Sequence, residues 1–522
     1  RTKAMGNKFI CDETCIAHTK AGDLQGYFFN DVYNFKGIQY ATAKRFQAPE
    51  PVEGWEGVKD ATSFGCVCPL LHIDKPMGEL SVPHRYWVMD EDCLNLNVWT
   101  PQLDEKKRPV MVWLHGGGFE AGSSIEQVAY DGDSMSRFGD VVVVTLNHRL
   151  NILGYFDLSE YGEQYAASAN AGTTDIVAAL KWVRENIASF GGDPDNITLA
   201  GQSGGGEKIT ALLQNPAADG LFQRGIIMSG VVNSQMLGVN HGSSRPLVDA
   251  MLAELGLSEK EVGELETLPY DRLAEAYRKV AQGLKTQGEY TGCCPKVGAD
   301  FIGHPNDVGF RPETVNVPLI VGSVFGEFCF WKLPYDKRSL SREQGVEFLK
   351  GRLGEEMTEK LVPLFAQAFP DRNPADLFCY DTIFRCPSSA YISRRAKEGG
   401  TVYSYFFDMD FNVESGKPAW HCSDIPFLFH NTHITPYANV DGVTETLEKQ
   451  IFDSVIAFMK NGNPNHAGIP QWDNSSAEEE HTMLFGGNIR TAVNHDKEFL
   501  KEFAPASVKI MMEMMSAANI QH

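Results

Sequence analysis

The sequence predicts an α/β fold with a doubly wound, mostly parallel central sheet. Two continuous apolar runs rich in valine, Arg108–Leu114 and 140–146, are typical of strands that are covered on both faces. Between residues 173 and 190, apolar side chains recur at three- and four-residue spacing, which predicts a helix with one buried stripe. The alternation of such strands and helices is the pattern of an open sheet with helices on both faces.

Further elements continue this alternation. Short apolar runs predict strands at 197–200, 225–228, 317–321 and 402–407. Helical patterns cover 248–284, 342–369, 444–460 and 505–517. The third of these ends at Asn-Gly-Asn-Pro, and the fourth has proline in its first turn. Helical insertions around 240–300 and 335–400 are expected to cover the carboxyl edge of the sheet, where ligands bind in such folds. Since no repeat or linker divides the chain, residues 1–522 are predicted to form one domain.

The composition excludes several classes of protein. The chain has 522 residues, with 46 Lys+Arg against 68 Asp+Glu and a formal charge of −22. Such an acidic chain lacks the basic surface on which nucleic-acid affinity depends. The longest strongly apolar stretch, 141–146, is far shorter than the roughly 20 residues of a membrane-spanning helix. The expected partner is therefore a small molecule, with no nucleic acid and no membrane span.

The cysteines and the N-terminal segment add weaker indications. The chain has 11 cysteines without a Cys-x-x-Cys spacing, so neither a zinc site nor a disulfide-dense scaffold is predicted, and no cofactor is expected. The first thirty residues contain no apolar segment followed by a cleavage site. The absence of a visible signal peptide slightly favours the cytoplasm, and secretion stays open if a signal was removed. The expected assembly is a monomer or homodimer.

The sharpest local motif is GQSGG at 201–205, directly after the predicted strand 197–200. A serine at a strand-to-helix turn is held in a strained backbone, and the flanking glycines let strand and helix approach without a clashing Cβ. Its hydroxyl then stands above the sheet edge, at the positive end of the following helix. Ser203 is therefore the candidate nucleophile.

A second motif, HGGGF at 115–119, follows the predicted strand Arg108–Leu114. Three successive glycines let backbone N–H groups turn toward one point, and a tetrahedral acyl intermediate needs such donors about 3 Å from its negative oxygen. A phosphate-binding loop is not supported, because no Gly-Lys-Ser/Thr follows. Together the two motifs predict acyl transfer.

These motifs resemble those of the type-B carboxylesterases, the family that includes the cholinesterases. The segment FGGDPDNITLAGQSGG at 190–205 is similar to the serine signature of that family, and EDCLNLNVW at 91–99 resembles its second signature. Shorter matches lie at 35–41, 147–150 and 170–172, so the resemblance covers nearly the whole chain. It implies an α/β-hydrolase fold and a serine esterase of the bacterial carboxylesterase type rather than a cholinesterase.

Two residues depart from the family pattern. Gln202, directly before the candidate nucleophile, stands where the family usually has an acid, so a negative charge beside the reacting centre is missing. Asn95 stands where an aromatic residue or threonine is commoner, a change without an obvious chemical meaning.

The resemblance also implies the base that activates the serine. His421, in AWHCSDIPF at 419–427, matches the catalytic-histidine segment of the family. His430 and His433 are rivals by position alone. A base is needed because a hydroxyl is a weak nucleophile until its proton is removed.

For the carboxylate that orients the base, VGSVFGE at 321–327 resembles the family segment that ends in the catalytic glutamate, here Glu327. Asp300 is a rival but belongs to a turn upstream of the strand. Asp424 is another, but it lies three residues from His421 and is expected on the same helix. The preferred chain order of serine, glutamate and histidine agrees with the order found in the fold.

The same residue-by-residue comparison implies the remaining parts of the site. The oxyanion donors are expected to be the backbone N–H groups of Gly117, Gly118 and Gly204. Ser229 resembles a family serine near the catalytic histidine, although a strand-end turn serine explains it equally well, and Gln202 is expected beside the triad.

Two further pairs are implied as structural rather than catalytic. Arg149 and Asp175 resemble an ion pair of the family. Cys93 matches a cysteine that closes a loop in extracellular relatives, with Cys68 or Cys66 as its partner.

The predicted function is that of a serine carboxylesterase that hydrolyses neutral, partly apolar or aromatic carboxylic esters through an acyl-enzyme intermediate. A feruloyl esterase, lactonase or amidase using the same site is an alternative, and a non-catalytic cholinesterase-like binding protein is an alternative of another class. Hydrolysis of choline esters is not expected, since Trp87 does not fall at the spacing that cholinesterases use. Aromatic side chains that could line the pocket are Phe119, Phe325, Phe328, Phe330, Trp331 and Trp420.

Overall fold

A large twisted sheet forms the centre of the computed structural model, which describes residues 8–72, 83–234, 241–330 and 332–518. Within these ranges eleven strands make up the sheet, in the order β11-β10-β9-β8-β7-β6-β4-β5-β3-β2-β1. Their bounds are β1 (Tyr27–Phe29), β2 (Val32–Gln39), β3 (Asn95–Thr100), β4 (Arg108–Leu114), β5 (Val142–Leu146), β6 (Gly192–Gln202), β7 (Arg224–Met228), β8 (Leu319–Val324), β9 (Val402–Phe407), β10 (His481–Phe485) and β11 (Arg490–Val493).

Within this spatial order, the strands from β5 to β10, which include β4, pair in parallel. At the two edges, β1, β2, β3 and β11 pair antiparallel with their neighbours. The predicted doubly wound, mostly parallel sheet is thereby confirmed. The chain reverses its direction of travel across the sheet at β4, which lies between β5 and β6. Open α/β sheets bind their ligands beyond the carboxyl ends of the strands at such a switch point.

Helices cover both faces of this sheet. They are α1 (Asp133–Gly139), α2 (Asn151–Gly154), α3 (Ala171–Asn186), α4 (Gly204–Leu213), α5 (Arg245–Leu255), α6 (Tyr270–Thr286), α7 (Pro305–Val308), α8 (Arg342–Leu353), α9 (Glu355–Ala368), α10 (Arg385–Lys397), α11 (Ile425–Phe429), α12 (Thr444–Asn461) and α13 (Lys497–Ala518). None of the helices in the described ranges is long and apolar enough to cross a bilayer.

The core is divided by the sheet into two large clusters. Along β4, Val110, Val112 and Leu114 pack in one cluster with α3 and α4, while Met111 and Trp113 pack in the other with α12. Successive side chains of a strand point to opposite faces, so a strand buried on both sides must be apolar at every position. This is why the valine-rich runs could be identified as central strands.

Several predicted boundaries are wrong by a few residues or more. The segment 248–284 contains two helices, since α5 ends at Gly256 in the left-handed region with φ 72°, and 342–369 is divided at Gly354 with φ 81°. Strand β6 begins five residues earlier than 197. Strand β8 is shifted to begin after Pro318, which has no N–H to donate to a neighbouring strand.

The C-terminal helix was predicted over 505–517, but α13 begins at Lys497, so Pro505 lies inside the helix rather than in its first turn. Phe499 and Phe503 from the added turns are buried against Phe365 and Tyr380. Tertiary packing of these rings outweighs the hydrogen bond that proline cannot make.

The predicted ion pair between Arg149 and Asp175 is present and fully buried. The guanidinium donates from Nε and Nη2 to the two carboxylate oxygens at 2.8 and 2.6 Å, and from Nη1 to the carbonyl of Gln47 at 2.8 Å. The ion pair joins the start of α3 to the loop after β5, and neither of its residues is adjacent in sequence to Ser203. Both charges are compensated, so the contact is structural.

We expect Arg149→Met to lower the free energy of unfolding by about 3–5 kcal/mol, because Asp175 is left as an uncompensated buried charge. Urea denaturation followed by circular dichroism measures the loss. The double variant Arg149→Met/Asp175→Leu removes both charges and should recover part of the stability. Equal stability of the single variant and the unsubstituted protein would contradict a structural role for the pair.

Candidate active site

Ser203 lies at the turn between β6 and α4, in the conformation that the motif predicts. Its φ of 56° and ψ of −128° are strained for a residue with a side chain. A Cβ at Gly201 would lie 2.5 Å from the backbone of Gly205, and one at Gly205 would lie 1.9 Å from the carbonyl oxygen of Leu114. Only glycine fits these positions, so the glycines permit the close contact of α4 with β4 and β6.

The glycine loop at 115–118 lies beside this turn, because β4 and β6 are neighbours and pair Leu114 with Gly201. Gly117 and Gly118 have φ of 85° and 61°, which side-chain-bearing residues adopt rarely. A Cβ at Gly204 would lie 2.4 Å from the nitrogen of Gly118. Gly118 and Gly204 are thus in contact, and Gly117 and Gly118 line the same cavity as Ser203.

Glu327 and His421 form the second half of the site. The Nδ1 of His421 is 2.5 Å from Oε2 of Glu327, and the His421 backbone N–H donates to the carbonyl of Glu327 at 2.6 Å. Glu327 is completely buried, and its Oε1 accepts hydrogen bonds from Ser229 Oγ at 2.6 Å and from the backbone N–H of Val324 at 2.9 Å. Ser229 therefore contacts the carboxylate that pairs with His421.

Two aromatic rings and an amide hold the imidazole of His421. Phe328 and Phe384 flank it with ring centroids at 5.1 and 5.0 Å, and both also line the cavity that contains Ser203. The Nε2 of Gln202 lies 3.3 Å from each ring nitrogen. Among the described contacts there is no hydrogen bond between Ser203 Oγ and His421, a contact that in unliganded enzymes often forms only with substrate.

The side chain of Gln202 is fixed in turn by Cys422, whose Sγ donates to Gln202 Oε1 at 3.2 Å. Cys422 has a φ of 75° and directly follows His421. A neutral amide is thus packed where the family usually has an acid, and no carboxylate other than Glu327 contacts the imidazole in the described part of the chain.

The rival residues are engaged elsewhere. The prediction that Asp424 lies on the same helix as His421 is wrong, because both residues lie in the turn before α11. Asp424 stands at the N-cap position of α11 without a side-chain capping bond and accepts a hydrogen bond from Tyr405 Oη at 2.8 Å. Asp300 is exposed in a turn. His430 pairs with Glu448 at 3.3 Å, and His433 is exposed.

Two further buried carboxyl groups, Asp381 and Asp424, nevertheless lie near Glu327. Burial, and then the charge of Glu327, raise the pKa of Asp381 and of Asp424 to about 7. Asp381 accepts backbone N–H bonds at the start of α10, including that of Phe384 at 2.9 Å. Asp381 therefore positions one of the rings that flank His421, a role that no sequence motif indicated.

The cavity above Ser203 has a volume of about 440 Å³. Of the predicted aromatic residues, Phe119 and Phe328 line it, whereas Phe325 and Trp420 are buried in the core and Phe330 is exposed. Trp331 lies outside the described residues. The remaining lining residues were not identified from the sequence, and they include Leu70, Leu71, His72, Val232, Cys293, Cys294, Ile383 and Phe384.

Two carboxyl groups also reach this cavity. Burial raises the pKa of Glu207 to about 8 and raises the pKa of Glu120, against the attraction of nearby cations. Both groups take up protons more readily than ordinary glutamates, so the cavity is less negative than its formal charge suggests. Trp87 is 44% exposed and packs on Phe64 rather than lining the cavity.

The other sequence-predicted residues lie apart from the chemistry. Cys68 and Cys93 are buried free thiols in contact, and burial together with the Cys68 thiol raises the pKa of Cys93, whereas Cys66 is partly exposed. Asn95 donates to the carbonyl of Cys66 at 2.8 Å and accepts from Asn147 at 3.1 Å, so it joins β3 to two loops. The described residues contain no cluster of His, Cys, Asp or Glu that could hold a metal ion.

Comparison with known proteins identifies the family. The family model described as "Carboxylesterase family" matches residues 13–502. The chain is 33% identical over 508 residues to the para-nitrobenzyl esterase of Bacillus subtilis (strain 168), covering 94% of this chain and 99% of that protein. It is 32% identical over 488 residues to the phenmedipham hydrolase of Pseudarthrobacter oxydans, covering 90% and 95%.

A solved structure supports the same assignment. An esterase from the anaerobe Clostridium hathewayi, described as able to hydrolyse aliphatic aromatic polyesters, superposes with a TM-score of 0.94 at 52% identity, covering 96% of this chain and 100% of that one. A thermophilic para-nitrobenzyl esterase superposes with a TM-score of 0.73 at 31% identity, covering 93% and 99%. The chain therefore belongs to the carboxylesterase family, and it is a serine carboxylic ester hydrolase with the α/β-hydrolase fold.

Proposed function

We propose that Ser203, His421 and Glu327 are the catalytic triad of this esterase and that Gly117, Gly118 and Gly204 supply its oxyanion donors. The observation that supports the proposal is the meeting of the two glycine-rich turns at the carboxyl ends of β4 and β6, where Ser203, Gly117 and Gly118 line one cavity. The contact of 2.5 Å between His421 Nδ1 and Glu327 Oε2 provides an oriented base, which packs against Phe328 and Phe384 of the cavity lining.

Hydrolysis then proceeds in two acyl-transfer steps. His421 Nε2 takes the proton of Ser203 as Oγ attacks the ester carbonyl, and the three N–H groups bind the resulting oxyanion. The imidazolium returns the proton to the alcohol as the C–O bond breaks and leaves the acyl group on Ser203. A water molecule repeats the attack, and the acid is released. Glu327 stabilises the imidazolium and stays ionised throughout.

Two neighbours position these groups. Ser229 and the Val324 N–H bind the oxygen of Glu327 that does not face the imidazole, which fixes the orientation of this buried carboxylate. Gln202 lies against both ring nitrogens of His421 and restrains the ring without adding charge. Neither residue touches the ester itself.

The proposed substrates are neutral, partly apolar or aromatic esters. The cavity is lined mainly by apolar and aromatic side chains, and its two glutamates have raised pKa values. A relative named para-nitrobenzyl esterase, and a solved esterase described as hydrolysing aliphatic aromatic polyesters, support aromatic esters as substrates. Cationic choline esters are disfavoured, since cation recognition uses an aromatic face, preferably Trp, and Trp87 does not supply one.

We further propose that the 522 residues act as one catalytic domain, because the site combines residues from 117 to 421 on a single sheet. A monomer or homodimer is the expected assembly, and size-exclusion chromatography with light scattering distinguishes the two.

We expect Ser203→Ala to lower kcat for p-nitrophenyl butyrate by a factor of roughly 10⁴ or more, since the acyl-enzyme cannot form. A neutral organophosphate should label the unsubstituted protein once, at Ser203, as read by peptide mass spectrometry. Ser229→Ala, which keeps the nucleophile, is the matched control and should still be labelled. Undiminished turnover in Ser203→Ala would overturn the proposed triad.

Glu327→Gln should lower kcat by roughly 10³ to 10⁴, because the amide no longer stabilises the imidazolium. Asp424→Asn should stay within about tenfold, since its carboxyl is bound by Tyr405 and has a pKa raised to about 7. Steady-state kinetics on both purified variants decide between the two acids. A larger loss in Asp424→Asn than in Glu327→Gln would reverse the assignment.

An ester panel tests the substrate class. Turnover of p-nitrophenyl butyrate should exceed that of butyrylthiocholine by at least a hundredfold in kcat/KM, because the cavity binds neutral groups. Benzyl and phenyl esters should be hydrolysed with lower KM than ethyl esters of the same acid. Comparable efficiency on the cationic and the neutral ester would contradict the proposed pocket.

A further inference from the structure

A buried lysine lies directly behind the oxyanion loop. Lys208 is on α4, four residues after Gly204, and residues at this spacing share one face of a helix. Only 1% of its surface is exposed. Its Nζ donates a hydrogen bond of 2.8 Å to the carbonyl oxygen of His115, the first residue of the loop 115–118.

Burial of an ammonium group is unfavourable unless charge and hydrogen bonds compensate for the lost water. Burial lowers the pKa of Lys208 to about 7, against the opposing effect of the Glu126 and Glu207 carboxylates. Burial raises the pKa of Glu207 itself to about 8, and Glu126 has the larger of the two opposing effects on the pKa of Lys208. A methionine would fill this space without the cost of a charge, so packing alone does not account for a lysine.

The other titratable groups that face Lys208 carry no competing positive charge. His115 and His148 stack with ring centroids at 5.2 Å, and burial, with Lys208 as a second cause, holds the pKa of each well below its usual value. The two imidazoles are therefore neutral. Glu126 is in addition bonded by the hydroxyl of Tyr130 at 3.2 Å.

The contact of Lys208 joins the two elements that form the oxyanion hole. A Cβ at Gly204 would lie 2.4 Å from the nitrogen of Gly118, so a small shift of α4 against the loop changes the spacing of the donors. The far part of the loop is held by Ala121 N–H on Gly117 O at 3.0 Å and by Asn151 N–H on Phe119 O at 2.8 Å. The hydrogen bond from Lys208 Nζ to the His115 carbonyl holds the start of the same loop.

We propose that Lys208 is a positioning residue for ester hydrolysis, whose ammonium ties α4 to the oxyanion loop through the His115 carbonyl and adds positive charge behind the oxyanion. The inference rests on the proposed function, since it assumes that the oxyanion forms between Gly117, Gly118 and Gly204. Positive charge at the start of α4 adds to the helix dipole there. Because the oxyanion exists only in the transition state, kcat depends on this charge and KM does not.

The test compares three substitutions of Lys208 on p-nitrophenyl butyrate. Lys208→Met should lower kcat about 10- to 100-fold with KM within about threefold, and Lys208→Gln, which keeps a donor without the charge, should be intermediate. Lys208→Arg keeps both and should restore most of kcat. If Lys208→Met does not fold, the comparison of Lys208→Gln with Lys208→Arg decides.

Inhibition by two ketones separates a transition-state effect from a general loss of order. An alkyl trifluoromethyl ketone forms a tetrahedral oxyanion on the serine, whereas the matching methyl ketone binds as the ground state does. Lys208→Met should weaken the trifluoromethyl ketone by the factor lost in kcat and leave the methyl ketone unchanged. Equal weakening of both ketones, or kcat within twofold of the unsubstituted enzyme, would overturn the role of Lys208.

Lys296→Met is the matched control, because the Lys296 ammonium pairs with Asp157 and is also largely buried. It should lower the melting temperature without changing kcat or the ratio of the two inhibition constants. Ser203→Ala distinguishes the two proposals. If that variant keeps its activity, the proposed function fails, whereas an inactive Ser203→Ala beside a fully active Lys208→Met rejects only the inference on Lys208.

Discussion

The parallel pairing of β4 with β6 is the constraint on which the rest of the site depends. This register sets Leu114 opposite Gly201 and Trp113 opposite Ala200, so the chain leaves both strands at the same height above the sheet. The loop after β4 and the turn after β6 must then share one small volume, which a single Cβ at Gly204 or Gly205 would fill. Ladder hydrogen bonds within the sheet thereby determine where the nucleophile and the oxyanion donors meet.

The charges and hydrogen bonds around His421 add a second constraint on the site to the one that the sheet imposes. Glu327 is buried, and its carboxylate is bound by Ser229 Oγ, the Val324 N–H and the imidazole of His421. Asp381 and Asp424 lie near enough to feel its charge, and the rise of their pKa values to about 7 limits the negative charge that accumulates around His421.

The sequence predicted those parts of the site that depend on local constraints. A turn whose backbone only glycine can adopt requires glycine in the sequence, so the motifs at 115–118 and 201–205 were recognisable. The apolar runs before them identified the two strands. The walls of the cavity were not predictable, because Leu70, Val232 and Phe384 come from separate segments that share no periodicity. The early start of α13 was missed for a related reason, since Phe499 and Phe503 find their partners only in the folded chain.

The residues that line the cavity and the glycines that shape the catalytic turns lie on different segments, and this affects how the enzyme can change. Gly201, Gly204 and Gly205 tolerate no side chain, because each is within 2.5 Å of a neighbouring backbone atom once a Cβ is added. Leu70, Val232 and Ile383 have no such restriction and lie on segments outside the sheet. Adaptation to a new ester, by natural drift or by library selection, is therefore confined to these wall positions and can proceed while the chemical step is conserved.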